Sequence, residues 1–494
     1  MSRGRHARPR TPTHRKATTQ VLAALLLLSA LASVAWAYRL ESRRTRRLNA
    51  PVAATPPPSR SLVTPVLSLR RTPQWLVAPQ AARRLAAALD PLMATVPPTT
   101  CVLVADSTGT VFSRNADAPM PAASNQKLVT ALAALDTFGP NATFATTFKT
   151  LAPPKDGVVD GDLFMVGGGD PVIDTDTYQR TMHYGRTPHT SLEGIADTLV
   201  AKGIRHITGS IIGDDRYFDS QRTVASWPRR YLQQGQVGPL SALSVNDART
   251  YPALPGGSGS PQPATDPAGY AATALTQLLV ARGVGVDGAP RGGPTPEAAT
   301  TVAEVRSLPV RDLIAEMLRF SDHNTAELLT KAVGRTAKGA GTTDDGVAAA
   351  SEVLRRHGLD VNGTVLKDGS GLDPENRLTC SLLTGILGVG GPSGPIADGL
   401  AVADGPDGTL RDRFGGSPAA HAVRAKTGTL NNVTALSGWI RTSHGAEVRF
   451  SIIVNTGARR VQASDRDFET RVAEAIMAYP DTIALDEIAP HAPR

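Results

Sequence analysis

The sequence is poor in cysteine and lysine, and most of it carries almost no net charge. Its 494 residues contain two cysteines and nine lysines. Residues 1–47 hold eleven Arg and Lys against one Glu, a charge of +10, so the other 447 residues sum to −2 within the total of +8. A nucleic-acid-binding surface needs an excess of positive charge, and the body of the chain has no such excess. We therefore expect no nucleic-acid partner.

Metal and cofactor sites are equally unsupported. No set of His, Cys and Asp has the spacing of a metal-binding motif, so no metal and no cofactor is expected. Gly167-Gly168-Gly169-Asp170-Pro171 is better interpreted as a structural turn than as a phosphate loop, because no helix with a lysine follows it. Cys101 and Cys380 could form one disulfide in an exported protein or remain two buried thiols, since sequence separation does not show that they meet.

The positive charge of the chain belongs to a basic N-terminal flank, residues 1–47, which surrounds an apolar run at 21–38. At about 1.5 Å per helical residue this run spans roughly 27 Å, close to the thickness of a bilayer core. The preceding arginines suit a cytoplasmic flank, and Ala35-Trp36-Ala37 offers a small-x-small cleavage site. The segment is predicted to be a membrane anchor or a signal cut near Ala37, and both place the body on the extracytoplasmic face of the membrane or in the cell wall. Residues 48–72 are predicted to be an extended Pro-rich spacer.

Two of the few lysines lie in informative positions. Ser124 precedes Lys127 by three residues, and no other lysine has a serine at that distance. The only lysine followed by Thr-Gly is Lys426, which opens Lys426-Thr427-Gly428-Thr429. A serine hydroxyl needs a base to become a good nucleophile, and a lysine one helical turn later can be that base if its pKa is depressed. The alternative is that Ser124 is a helix N-cap and nothing more.

The residues after Ser124 predict a helix that buries one face. Leu128, Leu132 and Leu135 recur at helical spacing, and Gly139-Pro140 should end the helix. A third polar element, Ser321-Asp322-His323-Asn324, separates two further apolar helical patterns. On pattern alone, such residues could equally form a solvated joint or an N-cap.

In chain order, Ser124/Lys127, Ser321 and Lys426-Thr427-Gly428 match the three motifs of penicillin-binding proteins and serine β-lactamases. Further segments narrow the match: Pro121 to Leu128, Gly167 to Pro171, Leu240 to Asp247, Asp368-Gly369-Ser370-Gly371-Leu372 and Arg424 to Thr429. With these, residues 75–480 resemble the DacB-type D-alanyl-D-alanine carboxypeptidase/endopeptidases, the class C low-molecular-mass penicillin-binding proteins.

The resemblance implies a mechanism and a set of ligands. Ser124 would attack the carbonyl of D-Ala-D-Ala ends of peptidoglycan peptides and form an acyl-enzyme, with Lys127 as base and Ser321 as a proton relay to the leaving D-alanine. Lys426 would keep Lys127 neutral and attract the substrate carboxylate, which Thr427 and Thr429 would bind. β-Lactams would acylate the same serine. Two other functions are possible: a serine β-lactamase and a catalytically idle cell-wall-binding protein. The long insertion argues against the β-lactamase.

One position departs from the family pattern. The middle motif of the family is Ser-x-Asn followed three residues later by Ala-Glu, and counting back from Ala326-Glu327 places His323 at the asparagine. Either His323 takes the asparagine's place, a neutral imidazole supplying the missing donor, or Asn324 is presented by a local shift.

Strand patterns near both ends of the chain predict the domain organisation. Hairpins are predicted at 102–113 and 435–454, with a terminal helix at 467–479 and helices between. This pattern indicates an α+β fold, a penicillin-binding-protein/serine β-lactamase-like transpeptidase domain interrupted by a long insertion. We expect 73–150 and 300–494 to form the catalytic domain. The resemblance implies that 151–299 forms inserted accessory domains that are mostly β.

Overall fold

A computed structural model describes residue 29 and residues 31–41, 74–185, 187–250 and 261–480. The chain divides into two units, 1–71 and 72–494, and the described part of the first is helical. The predicted spacer at 48–72 lies outside the described residues, as does half of the apolar run at 21–38. Within the residues that the structure describes, no helix combines the length and apolar character needed to cross a bilayer.

The second unit is built around a six-stranded antiparallel sheet. Its strand order is β15-β16-β17-β18-β1-β2, so strands from both ends of the chain meet as β1 pairs with β18. Both predicted hairpins, β1/β2 and β17/β18, are confirmed. The strands are β1 Thr100–Ala105, β2 Thr110–Arg114, β15 Ala401–Val402, β16 Val423–Leu430, β17 Val433–Arg441 and β18 Glu447–Asn455.

Helices cover both faces of this sheet. Successive residues of β1 point to opposite sides: Val102 and Val104 pack with Phe468 on one face, whereas Leu103 packs with Leu128 on the other. Because both faces are covered, all six residues of β1 are buried. The helices of this domain are α1 Gln74–Met93, α2 Lys127–Phe138, α7 Val310–Phe320, α8 His323–Lys338, α9 Thr343–Arg356, α10 Cys380–Gly390, α11 Pro395–Gly399 and α12 Ala463–Met477.

Local signals explain where the key helix α2 begins and ends. A 3₁₀ turn, Ala123–Gln126, leads directly into Lys127. The helix ends at Phe138, and Gly139 follows with φ of 76°, a conformation that glycine adopts readily. The predicted helix stop is therefore confirmed, and Ser124 lies in the 3₁₀ turn rather than in the α-helix itself.

The open question about the cysteines is answered by a disulfide between Cys101 and Cys380, whose Cα atoms lie 6.2 Å apart. It joins β1 to the first residue of α10 across 279 residues of sequence. The bond fastens the central sheet to the helical layer that carries Ser124.

The segment between α2 and α7 forms sheets of its own. A five-stranded sheet has the order β13-β9-β5-β3-β14, and a three-stranded sheet the order β12-β8-β4. The first and last strands of the segment, β3 and β14, pair with each other as the chain enters and leaves, so the inserted sheet extends from 145 to 306. Strands outnumber helices among the described residues here, but the longest elements are two helices. The elements are β3 Ala145–Thr150, β4 Val158–Val159, β5 Leu163–Val166, β6 Ile173–Asp174, α3 Asp176–Gln179, β7 Thr190–Ser191, α4 Leu192–Ala201, β8 His206–Ile207, β9 Ile211–Asp214, α5 Arg230–Gln233, a 3₁₀ turn Asn246–Ala248, β10 Arg249–Thr250, β11 Gln262–Pro263, α6 Pro267–Val280, β12 Gly285–Val286, β13 Arg291–Gly292 and β14 Thr300–Arg306.

Candidate active site

Ser124 and Lys127 form a direct hydrogen bond at the N-terminal end of α2. A 3₁₀ turn has three residues per turn, so side chains at i and i+3 lie one above the other. Lys127 Nζ donates to Ser124 Oγ over 3.1 Å and to the carbonyl oxygen of Ser370 over 2.8 Å. The Lys127 side chain is fully buried, whereas Ser124 retains 8% exposure. The two side chains predicted from spacing alone are therefore hydrogen-bonded, with Ser124 slightly exposed and Lys127 fully buried.

Two neighbouring segments pack closely against the turn that carries Ser124. A Cβ at Gly371 would lie 2.0 Å from the carbonyl oxygen of Ala123, and a Cβ at Gly428 would lie 2.8 Å from that of Ala122. Ala123 itself has φ of 48°. A non-glycine residue in that region is strained and persists only where its surroundings hold it. Glycine at 371 and 428 allows this close packing on the nucleophile turn.

Burial lowers the pKa of Lys127 to about 7, while the carboxyl groups of Asp322, Asp368 and Glu327 raise it less. Of the two causes expected for a depressed pKa, burial and a neighbouring positive charge, burial is therefore the larger. At neutral pH a large fraction of Lys127 is the free amine, which can accept a proton. The environment thus supplies the depressed pKa that the predicted base requires.

The Lys426-Thr427-Gly428-Thr429 segment lies on β16, next to the nucleophile turn. Lys426 is fully buried, and its Nζ donates to the carbonyl oxygen of Thr427 over 2.9 Å. Burial, and then the charge of Lys127, hold the pKa of Lys426 well below its usual range. Thr427 Oγ1 donates to Thr409 Oγ1 over 2.9 Å, and Thr429 is exposed to the cavity in front of Ser124.

The Ser321–Asn324 joint connects α7 to α8, and it brings His323 rather than Asn324 to the nucleophile. Asp322 is the N-cap of α8. His323 Nε2 lies 3.5 Å from Ser124 Oγ, and its Nδ1 lies 2.6 Å from the carbonyl oxygen of Gln236. The Asn324 side chain is buried and accepts the backbone N–H of Gly238 over 2.7 Å.

Ser321 is set apart from the other motif residues. It ends α7 with φ of 64° and lines a separate cavity of about 340 Å³, together with Asp322, His323 and Asn324. Among the hydrogen bonds of the described residues, none joins its hydroxyl to Ser124 or to either lysine. Its role as a proton relay stays a prediction.

Ser124 lines a cavity of about 620 Å³, whose walls come from the inserted segment and from the domain around the six-stranded sheet. Sequence reasoning identified Ser124, His323 and Thr429 as site residues, and it placed Gly371 and Leu372 in the Asp368–Leu372 motif. The other wall residues lie in segments without a short motif: Pro228, Arg230, Tyr231, Gln234, Gln236, Pro374, Leu430, Asn431, Asn432 and Arg460. Within the described part of the chain, no group of three or more His, Cys, Asp or Glu could hold a metal ion.

A model of the D-Ala-D-Ala carboxypeptidase 3 (S13) family matches residues 85–265 and 262–475, which cover most of the chain and this whole site. The chain belongs to the S13 family. It is accordingly a serine-type D-Ala-D-Ala carboxypeptidase, and the family expected from the motifs is confirmed.

Known proteins are similar to this chain over most of their own length. The D-alanyl-D-alanine carboxypeptidase of Actinomadura sp. is 30% identical over 430 residues, which cover 72% of this chain and 77% of the relative. The carboxypeptidase DacB of Mycolicibacterium smegmatis is 28% identical and covers 90% of this chain and 94% of the relative. The crystal structure of penicillin-binding protein 4 (DacB) from Haemophilus influenzae matches with a TM-score of 0.65 at 20% identity, over 78% of this chain and 98% of that chain. This last match supports the α+β fold.

The S13 site has a buried support that the sequence did not reveal. The Glu327 carboxylate accepts the backbone N–H groups of Gly369 and Ser370, the latter over 2.7 Å. Ser370 in turn presents its carbonyl oxygen to Lys127. Burial, and then Asp368, raise the pKa of Glu327 to about 8. The signals for this role were Ala326-Glu327 and the Asp368–Leu372 motif, and tertiary structure alone brings the two together.

Proposed function

We propose that this S13 carboxypeptidase hydrolyses D-Ala-D-Ala ends of peptidoglycan stem peptides through an acyl-enzyme on Ser124. One observation carries the proposal: the hydroxyl of Ser124, a residue that lines the cavity, lies 3.1 Å from a buried lysine amine whose pKa is lowered to about 7. Lys127 takes the hydroxyl proton as Oγ attacks the carbonyl carbon, and water later releases the acyl group.

Lys426 and the following residues are proposed to bind the terminal carboxylate of the substrate. In the free enzyme, burial and Lys127 disfavour the charged form of Lys426. An incoming carboxylate has the opposite effect, because a nearby negative charge favours an ammonium ion. The substrate carboxylate would therefore pair with Lys426 in its charged form, with Thr427 and Thr429 as hydrogen-bond donors to the carboxylate. The backbone N–H groups of Ser124 and Thr429 are proposed as the oxyanion hole.

The inserted segment is proposed to position the stem peptide. Its residues 228–236 form one wall of the catalytic cavity, with Arg230 facing that space together with Arg460 from the catalytic part. Two arginines in the wall favour substrates that carry an anionic group near the cleaved bond.

Residues 1–47 are proposed to direct the enzyme across the membrane, either as an anchor or as a cleaved signal. Support comes from the basic flank and the apolar run at 21–38. Peptidoglycan lies outside the cytoplasmic membrane, so this location suits the proposed substrate. N-terminal sequencing of the mature protein separates the two forms.

Penicillin labelling tests the nucleophile. We expect a fluorescent penicillin to label the parent enzyme covalently, with slow release, and to leave Ser124→Ala unlabelled in intact-mass spectra. The exposed Ser443 in the β17–β18 turn supplies a matched control, and Ser443→Ala should label normally. D-Alanine release from pentapeptide should fall by several orders of magnitude in Ser124→Ala.

Other outcomes identify the rival functions. Rapid release of the label would indicate a β-lactamase, and a folded parent enzyme that takes no label would indicate a wall-binding protein. Product analysis on purified peptidoglycan then distinguishes free D-alanine from cleaved cross-links.

A further inference from the structure

The imidazole of His323 is held between the nucleophile and a fixed acceptor. Its Nδ1 lies 2.6 Å from the carbonyl oxygen of Gln236, and its Nε2 lies 3.5 Å from Ser124 Oγ. A carbonyl oxygen can only accept, so Nδ1 must carry a hydrogen. A neutral imidazole has one N–H group, and its Nε2 therefore presents a lone pair to Ser124. The neutral side chain is thus an acceptor at the position where the family's asparagine could donate.

The hydrogen of the Ser124 hydroxyl needs an acceptor, and Lys127 is not always available. Lys127 Nζ is already a donor to Ser124 Oγ and to the carbonyl oxygen of Ser370. When Lys127 is an ammonium ion it has three donors and no lone pair. In that state, His323 Nε2 is the basic nitrogen beside the hydroxyl. Catalytic hydrogen bonds are often long in the free enzyme and shorten when substrate binds, which suits a separation of 3.5 Å.

We propose that His323 is a second general base for Ser124, and that it accepts the hydroxyl proton when Lys127 is protonated. This inference rests on the proposed role of Ser124 as nucleophile. The Oγ–H proton moves to His323 Nε2 while Oγ bonds to the carbonyl carbon of the penultimate D-alanine. As the C–N bond breaks, the imidazolium returns the proton to the nitrogen of the departing D-alanine. In deacylation, water gives its proton to Nε2, its oxygen bonds to the carbonyl carbon, and Ser124 Oγ leaves with the proton.

The surroundings favour the neutral form of His323. Burial, followed by the positive charge of Lys127, holds the pKa of His323 well below its usual value, although the hydrogen bond to Gln236 opposes this and Lys426 adds to it. The Nε2 lone pair that faces Ser124 therefore persists to a lower pH than in an ordinary histidine. Other titratable groups line the two cavities on either side of His323: Asp247, Asp322, Arg249, Tyr178, Arg230 and Arg460.

Asn324 cannot replace His323 in this role. Its amide has no basic nitrogen, and its oxygen is occupied by the N–H of Gly238. Replacing His323 by asparagine would restore the family motif and would remove the second base. His323→Asn is therefore the informative variant, because it separates binding by an amide from proton transfer by an imidazole.

The test is the rate constant of acylation by fluorescent penicillin from pH 5 to pH 9. Relative to its own rate at pH 9, where Lys127 is neutral, His323→Asn should lose rate about tenfold per pH unit below 7, as a single lysine base would. The parent should lose much less over the same range. His444→Asn, which changes an exposed histidine in the β17–β18 turn, should follow the parent. Parallel profiles of the parent and His323→Asn would overturn the proposal.

A second measurement does not depend on any variant folding. Nitrogen-15 NMR of the parent enzyme should show His323 protonated at Nδ1 and bare at Nε2 at pH 7, and the reverse tautomer would refute the inference. The failure of the proposed function is distinguishable, since it would appear as penicillin labelling of Ser124→Ala. If Ser124 is the labelled residue but the pH profiles coincide, only the role of His323 fails.

Discussion

Replacing Gly371 by alanine should displace the turn that holds Ser124. Gly371 has φ of +82°, and a Cβ there would lie 2.0 Å from the carbonyl oxygen of Ala123. Real Cβ atoms essentially never come closer than 3.0 Å to such a neighbour, so the contact is 1.0 Å too short. The obstructing atom belongs to the backbone and cannot rotate away. One of the two segments must therefore move by about 1 Å, the scale at which overpacked cores distort.

Two costs follow from this geometry. An alanine in the left-handed region costs roughly 1–2 kcal/mol of folding free energy. Overpacking typically adds about 1–3 kcal/mol. For the chemistry, a misplacement of about 1 Å at a reacting group can lower the rate about 100-fold.

Gly358 provides a control, because it shares the positive φ of Gly371 but not the close approach to a neighbouring backbone. Gly358 has φ of +68°, and a Cβ there would meet no atom within 4 Å. Gly358→Ala should therefore lower the free energy of unfolding in urea by about 1–2 kcal/mol and leave penicillin acylation unchanged. Gly371→Ala should be less stable than Gly358→Ala and acylate about 100-fold more slowly. Equal stability of the two variants, together with a parental acylation rate in Gly371→Ala, would refute the reasoning.

Three further changes have definite directions. Burial and Asp368 raise the pKa of Glu327 to about 8. The free energy of unfolding should therefore fall as pH rises from about 4.5 toward 8. Urea unfolding at pH 5 and pH 8 should show this fall in the parent but not in Glu327→Gln. Cys101→Ala combined with Cys380→Ala should lower the free energy of unfolding by about 2–4 kcal/mol, because the disulfide constrains the unfolded chain; an unchanged midpoint under oxidising conditions would argue against the bond. Arg230→Ala should raise KM for stem peptides with a free side-chain carboxylate more than for their amidated forms, and an equal change for both would exclude charge recognition by this residue.

The sequence by itself determined the local elements and one half of the site. Leu128 and Leu132 at helical spacing with a following glycine specify α2, and alternating apolar strands specify the two hairpins, because these patterns act over a few residues. The Ser124–Lys127 pair belongs to the same class. Its spacing of three places both side chains on one face of a single turn, whatever the rest of the fold does.

Tertiary structure alone decided the remaining features. The pairing of Cys101 with Cys380 and the choice of His323 over Asn324 depend on contacts between distant parts of the chain. The tautomer of His323 is set by the carbonyl of Gln236, a backbone group of the inserted segment that no side-chain motif records. Burial likewise lowers the pKa of Lys127, and it exists only once the sheet, the helices and the Asp368–Leu372 loop have closed around that amine.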